Sequence, residues 1–296
     1  MADMNVNAPK GTHANFGIGT TQQNPTEVKG NAFTRFFSNL FDKIGKAFSS
    51  GGKKAEAQPK HDAGGGEVVF SATTSKKDIQ RAKKEFRNSE MYQAVKDGDS
   101  GINKKNLETG MKVVLSRPEC VKMMKDHGLT LGEAVGIFMY TTGDYTPINN
   151  QLRSGKPLSD DVSALNKEII SGMAKLPSYQ GPSLTRLTDL PEHIADQYQP
   201  GNTVEPGGYS STSTITTGAM DFLGGEFVMR IAVKGGSSGK DVQAFSNKQE
   251  ENEILFPPGT QFKVLKRAEP QPDPYTMMGM PKKLEETKIT LTLQEV

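Results

Sequence analysis

Residues 250–260 read Glu250-Glu251-Asn252-Glu253-Ile254-Leu255-Phe256-Pro257-Pro258-Gly259-Thr260. The apolar run Ile254-Leu255-Phe256, closed by Pro257-Pro258-Gly259, predicts a buried strand over Glu253–Phe256 that ends in a turn. Glu251 and Glu253 stand two positions apart at its entrance, so a period of two would point both carboxylates to one side. Like charges on one face cost energy unless a cationic ligand, a cationic transition state or an arginine lies opposite. This stretch therefore reads as a core strand with a charged, purposeful mouth.

Outward from it, short period-two segments recur between Gly and Pro clusters. Strands are predicted at Ser183–Leu187, Gly208–Thr214, Glu226–Val233, Val242–Phe245, Gln261–Lys266 and Thr287–Gln294. Upstream the period becomes helical. Ser75 precedes a helical run over Lys76–Lys96, with Ile79, Phe86 and Ala94 as core candidates. Further helices are predicted near Leu107–Leu115, Pro118–Asp126, Leu131–Tyr140 and Ser159–Leu176, the last opening on Ser159 as N-cap with Asp160 and Asp161 in its first turn. Helices first and strands second define an α+β domain.

Composition narrows the function. The 296 residues suffice for one substantial domain, but 34% apolar content and a mean hydropathy of −0.56 are low for a chain that folds throughout. Thirty-six basic against 34 acidic residues give a net charge of +2, which argues against a nucleic-acid partner. Cys120 is the one cysteine, so no internal disulfide or cysteine-based zinc site can form, as suits a reducing compartment. His13, His61, His127 and His193 are scattered without metal-ligand spacing, and no metal is expected. No run approaches the roughly 18 apolar residues of a membrane span, and residues 1–30 lack the apolar core of a Sec signal peptide.

Residues 1–66 are expected to lie outside the folded unit, leaving residues 67–296 as the folded domain. Residues 1–30 read as a disordered tail rich in Asn, Gly, Thr and Pro. Within 32–48, Phe33, Phe36, Phe37, Leu40, Phe41, Ile44 and Phe48 form one helical apolar face, with Arg35, Lys43 and Lys46 opposite. A Gly/Pro/Lys-rich linker then runs to Gly66. The amphipathic segment suits a membrane surface or a secretion chaperone, or docks back on the main domain.

Three polar signals occur in order in the strand-rich half: Arg186, then Ser211-Thr212-Ser213, then Glu251-Asn252-Glu253. Each alone is unremarkable; their order on successive predicted strands is not. Together they resemble the bacterial mono-ADP-ribosyltransferase toxins, the members with an Arg, Ser-Thr-Ser and Glu-x-Glu triad. A fourth match lies in the helical half, where Tyr140, Tyr145, Asn149 and Leu152-Arg153 satisfy the family's spacing. The resemblance covers roughly Ser75 to Val296. Two positions depart from it: Leu187 follows the arginine where Gly or a basic residue is common, and Lys248 stands where an aromatic often precedes the acidic pair.

The resemblance implies N-terminal helices followed by two packed, mostly antiparallel sheets around an NAD cleft. It implies that NAD is a substrate, cleaved at its nicotinamide–ribose bond, with ADP-ribose passed to a side chain of a host protein. Glu253 would bond the ribose 2′-hydroxyl and stabilise the cationic sugar, as oxocarbenium chemistry requires. Ser211 would hold Glu253, Arg186 would grip the NAD phosphates, and Glu251 would orient or deprotonate the acceptor. Tyr140, Tyr145, Asn149 and Ser213 would line the NAD site, with Phe222 a candidate to stack on it or, equally, to join the core. Glu-x-Glu in this family usually goes with arginine as the acceptor, which is favoured here over another acceptor such as a hydroxyl. The implied protein is a monomeric effector, secreted without a Sec signal and delivered into the host cytoplasm. A NAD glycohydrolase and an inactive binding module are the alternatives.

Overall fold

The computed structural model describes residues 67–181, 183–215, 225–270 and 288–296. The 32–48 segment, the linker to Gly66, Phe222 and Thr287 lie outside the described residues. The helical half opens with α1 (Lys76–Asn88), where Ser75 Oγ accepts from Asp78 N at 3.2 Å and Asp78 Oδ2 accepts from Ser75 N at 3.0 Å. This reciprocal pair satisfies two of the donors that a helix start leaves bare. The single helix expected over Lys76–Lys96 is instead two. Ser89 leaves helical geometry (φ −67°, ψ 155°) and its hydroxyl accepts from Tyr92 N, starting α2 (Glu90–Asp97). A mid-helix serine with a cap to make competes successfully with continuation.

There follow α3 (Lys105–Ser116), α4 (Pro118–His127) and α5 (Leu131–Met139). Pro118 starts α4 where a missing N–H costs nothing, and Gly128 ends it at φ 63°. Thr130 and Glu133 cap α5 reciprocally, and every residue of α5 is buried. It then passes into a π turn (Tyr140–Asp144), broken at Thr142 (φ −96°, ψ −164°), and on into α6 (Tyr145–Ser154). The expectation stopped at Tyr140 and assigned no helix to α6. Thr141 and Thr142 make the bend: their hydroxyls bond the carbonyls of Phe138 and Met139 at 2.8 and 2.6 Å, drawing bonds from the helical ladder.

The next helix, α7 (Asp160–Lys175), packs on α5. A Cβ on Gly172 would sit 3.0 Å from Ile137 Cδ1 and 3.1 Å from Glu133 Cβ, so glycine sets the closeness of that crossing. Ser159 occupies the expected N-cap position of α7, but its hydroxyl donates to Asp161 Oδ1 at 2.5 Å, and Asp161 itself accepts Val162 N.

The strand half comprises β1 (Ser183–Thr188), a short α8 (Glu192–Ala195), β2 (Thr203–Val204), β3 (Ser210–Ser213), β4 (Phe227–Ala232), β5 (Lys240–Asp241), β6 (Glu253–Phe256), β7 (Phe262–Ala268) and β8 (Ile289–Glu295). Among the described residues the order is β2-β7-β8-β4-β1-β3-β6-β5, antiparallel except for β4 with β8. The β1–β3 junction consists of a single register pair, Thr185↔Ser213, whereas β1 and β4 pair along six residues. In place of two separate sheets, the described strands form one eight-stranded order, joined between β1 and β3 at that single pair.

One strand was misplaced by the sequence. Val242–Phe245 is a turn, not a strand, because Asp241 Oδ1 accepts Gln243 N and Phe245 N bonds Val242 O. An aspartate that captures the backbone two residues on ends a strand. Val242 and Phe245 are nonetheless fully buried.

Two apolar cores flank β6. Leu255 joins Tyr209, Val242, Phe245 and the helices, while Ile254 and Phe256 join Leu184, Phe262, Val264, Leu291 and Leu293 between the strands. Alternation puts Glu253 on the side of Leu255, toward the helical half. That side is where the polar residues gather.

Candidate active site

Glu253 opens β6 with only 5% of its surface exposed. A lone carboxylate in that position is penalised by lost hydration. Two hydroxyls compensate: that of Ser211 on β3 favours the charged form, and Ser246 Oγ donates to Oε2 at 3.2 Å. Burial pushes the Glu253 carboxyl above the usual carboxylate range; the two hydroxyls and Arg186 oppose this, and Glu251 adds to it.

The backbone just before Glu253 explains its aim. Gln249–Glu251 forms a 3-10 turn and Asn252 takes φ 47°, the left-handed region that asparagine tolerates. The strand therefore starts at Glu253, and the expectation that Glu251 and Glu253 share a strand face fails for that reason. Glu251 instead pairs with Lys248 at 3.1 Å, 28% exposed against the near-complete burial of Glu253. Its charge is still felt by Glu253.

Arg186 on β1 donates from Nη1 to the Ser211 carbonyl at 2.6 Å. Arg186 thus bonds the backbone of Ser211, and both Arg186 and the Ser211 side chain favour the charged form of Glu253. Burial draws the Arg186 guanidinium below its ordinary pKa, and the neighbouring cation Arg153 acts in the same direction, against Tyr140, Tyr198 and Glu253. Two guanidiniums near one another in a partly dehydrated site repel unless an anion lies with them. The pair suits a diphosphate.

Tyr140 and Asn149 pack behind these residues. Asn149 Nδ2 donates to the Tyr140 hydroxyl at 3.0 Å, and its Oδ1 accepts Tyr209 N at 2.9 Å, which stitches α6 to the start of β3. Gly208 permits this: a Cβ there would lie 2.7 Å from Asn149 Oδ1. The Tyr140 and Tyr209 rings stand 4.8 Å apart, and burial pushes the Tyr140 hydroxyl well above its ordinary pKa. Tyr145 is 52% exposed, with its ring 6.4 Å from that of Tyr140. Ser213 is buried and occupied, donating to the Glu251 carbonyl at 2.6 Å and accepting Ile215 N at 2.9 Å, so its hydroxyl braces the loop.

The sequence reading did not single out Ser246 or Tyr198, and it quoted Arg153 only as part of a spacing. Arg153 had a findable signal in the Leu152-Arg153 match. Ser246 had none, because its role exists only once the loop folds over Glu253. Among the described residues no group of three or more His, Cys, Asp or Glu side chains could hold a metal.

A family model described as ADP-ribosyltransferase exoenzyme matches residues 119–292, more than half of the chain. The chain belongs to that family, and its helices and mixed strands are those of the α+β ADP-ribosyltransferase fold. It is 39% identical over 142 residues to the NAD(+)–protein-arginine ADP-ribosyltransferase Tre1 of Serratia proteamaculans (strain 568), covering 48% of this chain and 30% of that protein. A putative NAD(+)–arginine ADP-ribosyltransferase, Mav, of Mycobacterium avium (strain 104) is 33% identical over 147 residues, 49% of this chain and 17% of that one. The chain thus spans less than a third of the length of these curated relatives. The type III effector XopAI from Xanthomonas axonopodis pv. citri, solved without 70 N-terminal residues, shares the fold at a TM-score of 0.52 and 18% identity, covering 89% of this chain and 99% of that one.

Proposed function

We propose that this chain cleaves NAD between nicotinamide and ribose and transfers ADP-ribose to an arginine of a protein in another cell. The observation that carries the reading is the Glu253 carboxylate, buried, braced by hydroxyls and set beside Arg186. The nicotinamide leaves with the bonding electron pair, and positive charge appears on the sugar. A carboxylate fixed beside the ribose stabilises that charge more than it stabilises bound NAD, which is the condition for acceleration. Glu253 takes the 2′-hydroxyl, Ser211 holds Glu253, and Arg186 with Arg153 bind the phosphates. Tyr140 and Asn149 shape the cleft floor, Tyr145 its lip. The acceptor nitrogen bonds the ribose carbon and gives its proton to Glu251, exposed enough to meet a protein surface.

Support for arginine comes from Glu-x-Glu and from the printed names of the two curated relatives. Incubating the protein with labelled NAD and a eukaryotic lysate, then mapping label by mass spectrometry, tests this. Label on arginine of a discrete protein is expected. Nicotinamide release with no labelled protein would replace transferase with NAD glycohydrolase, and no NAD consumption at all would leave a binding module. We also propose residues 67–296 as the catalytic unit, delivered as an effector. A chain lacking residues 1–66 should release nicotinamide at the full-length rate.

A further inference from the structure

Glu253 is braced from two sides, and the second brace comes from a residue that the Arg, Ser-Thr-Ser and Glu-x-Glu motif does not contain. Ser246 lies in the loop between β5 and the 3-10 turn and is 1% exposed. Its single hydroxyl proton has two acceptors at 3.2 Å, Glu253 Oε2 and the Lys248 carbonyl, and its oxygen also accepts Lys248 N at 3.2 Å. An ionised carboxylate is the stronger acceptor, so the proton turns to Glu253 when Glu253 is charged and to Lys248 when it is not.

The loop does not find this position by itself. From the helical half, Arg117 Nη1 donates to the Ser246 carbonyl at 2.7 Å, and Thr141 Oγ1 accepts Asn247 N at 2.9 Å. Gln249 Nε2 donates to Glu119 Oε1 at 2.9 Å, and Cys120 Sγ to the Ala244 carbonyl at 2.9 Å. Four contacts from α4, its preceding residue and the π turn thus pin a loop that ends on the acidic residues.

We propose that Ser246 is a positioning residue for the reaction, fixing the Glu253 carboxylate through its hydroxyl while Arg117 and Thr141 fix Ser246. The inference rests on the role given to Glu253 above. The charged and titratable groups facing Glu253 are Glu251 from the 3-10 turn, Arg186 from β1 and Tyr140 from the π turn. Burial and Glu251 disfavour its ionised form, whereas Ser211, Ser246 and Arg186 favour it. Removing the Ser246 hydroxyl therefore raises the Glu253 pKa further.

The test uses the full chain with Ser246→Ala and Ser246→Thr. Nicotinamide release is followed across pH. Separately, Glu253 is titrated by carbon-13 NMR, its signal assigned by its loss in Glu253→Gln. The Ala variant should lose on the order of 10-fold in kcat, the scale of one hydrogen bond to a charged group, with the KM for NAD little changed. Its acid limb and the Glu253 midpoint should both move to higher pH, and Thr should return both. A Glu253 midpoint in Ser246→Ala equal to that of the parent would overturn the inference. Absence of nicotinamide release by the parent at every pH would instead sink the functional reading, while the NMR midpoint would still decide whether Ser246 braces Glu253.

Discussion

Glu253 carries its charge where charge is penalised, and that penalty has two measurable consequences. Its folded-state pKa is raised, so the folded protein holds a proton more tightly there than the unfolded chain does. The sign follows: its contribution to stability is present below the unfolded pKa and is lost as pH rises through the folded one. At neutral pH, Glu253→Gln should therefore raise the melting temperature while lowering NAD cleavage by at least about 100-fold. Calorimetry beside a nicotinamide assay checks both. Catalysis needs the ionised form, so activity should fall on acidification with a midpoint above the ordinary value of about 4.3. Lys248 invites a different prediction. Its ammonium occupies Glu251, the group proposed to meet the acceptor guanidinium, but Lys248 is 56% exposed and such pairs are worth about 0–1 kcal/mol. Lys248→Ala should lower the KM for a small guanidinium acceptor by up to about 5-fold. At this scale Arg186, Ser211 and Glu253 were legible because a motif names them. Ser246 was not, since a serine in a polar loop looks like any other.

At the scale of elements, β6 joins stability to chemistry. Leu255 is fully buried against the helices on the same side as Glu253, while Ile254 and Phe256 fill the opposite core. Leu255→Ala should cost about 2–5 kcal/mol of stability in denaturant titration, because the surrounding core can collapse only partly. This strand was legible from Ile254-Leu255-Phe256 and its Pro-Gly turn, and the structure places it over the same four residues. Val242–Phe245 misled because two apolar residues three apart fit a tight turn as well as a core strand. The capture of Gln243 N by Asp241 decided between them. Ser89 misled similarly: period alone could not show that its hydroxyl would cap a new helix instead of sitting within an old one. The helix α6 was hidden because its residues, Tyr145 to Ser154, were read for their spacing to a site and not for their period.

For the whole molecule, helices followed by strands were readable because the apolar period changes once, near Pro177. The seam at Thr185↔Ser213 was not, since register between distant strands leaves no local trace. It matters because it sets β1, which bears Arg186, beside β3, which bears Ser211. The apolar face predicted within 32–48 belongs to this scale too. Deleting residues 30–50 should weaken binding to anionic vesicles in a flotation assay; unchanged binding would remove the membrane reading. The proposed chemistry requires one buried acid to meet a sugar as it turns cationic. The most direct measurement is nicotinamide release from NAD by the full chain and by Glu253→Ala, with matched circular dichroism spectra. The proposed role of Glu253 requires steady release by the parent and a loss of at least about 100-fold in the variant. Equal release by the two folded proteins would contradict it.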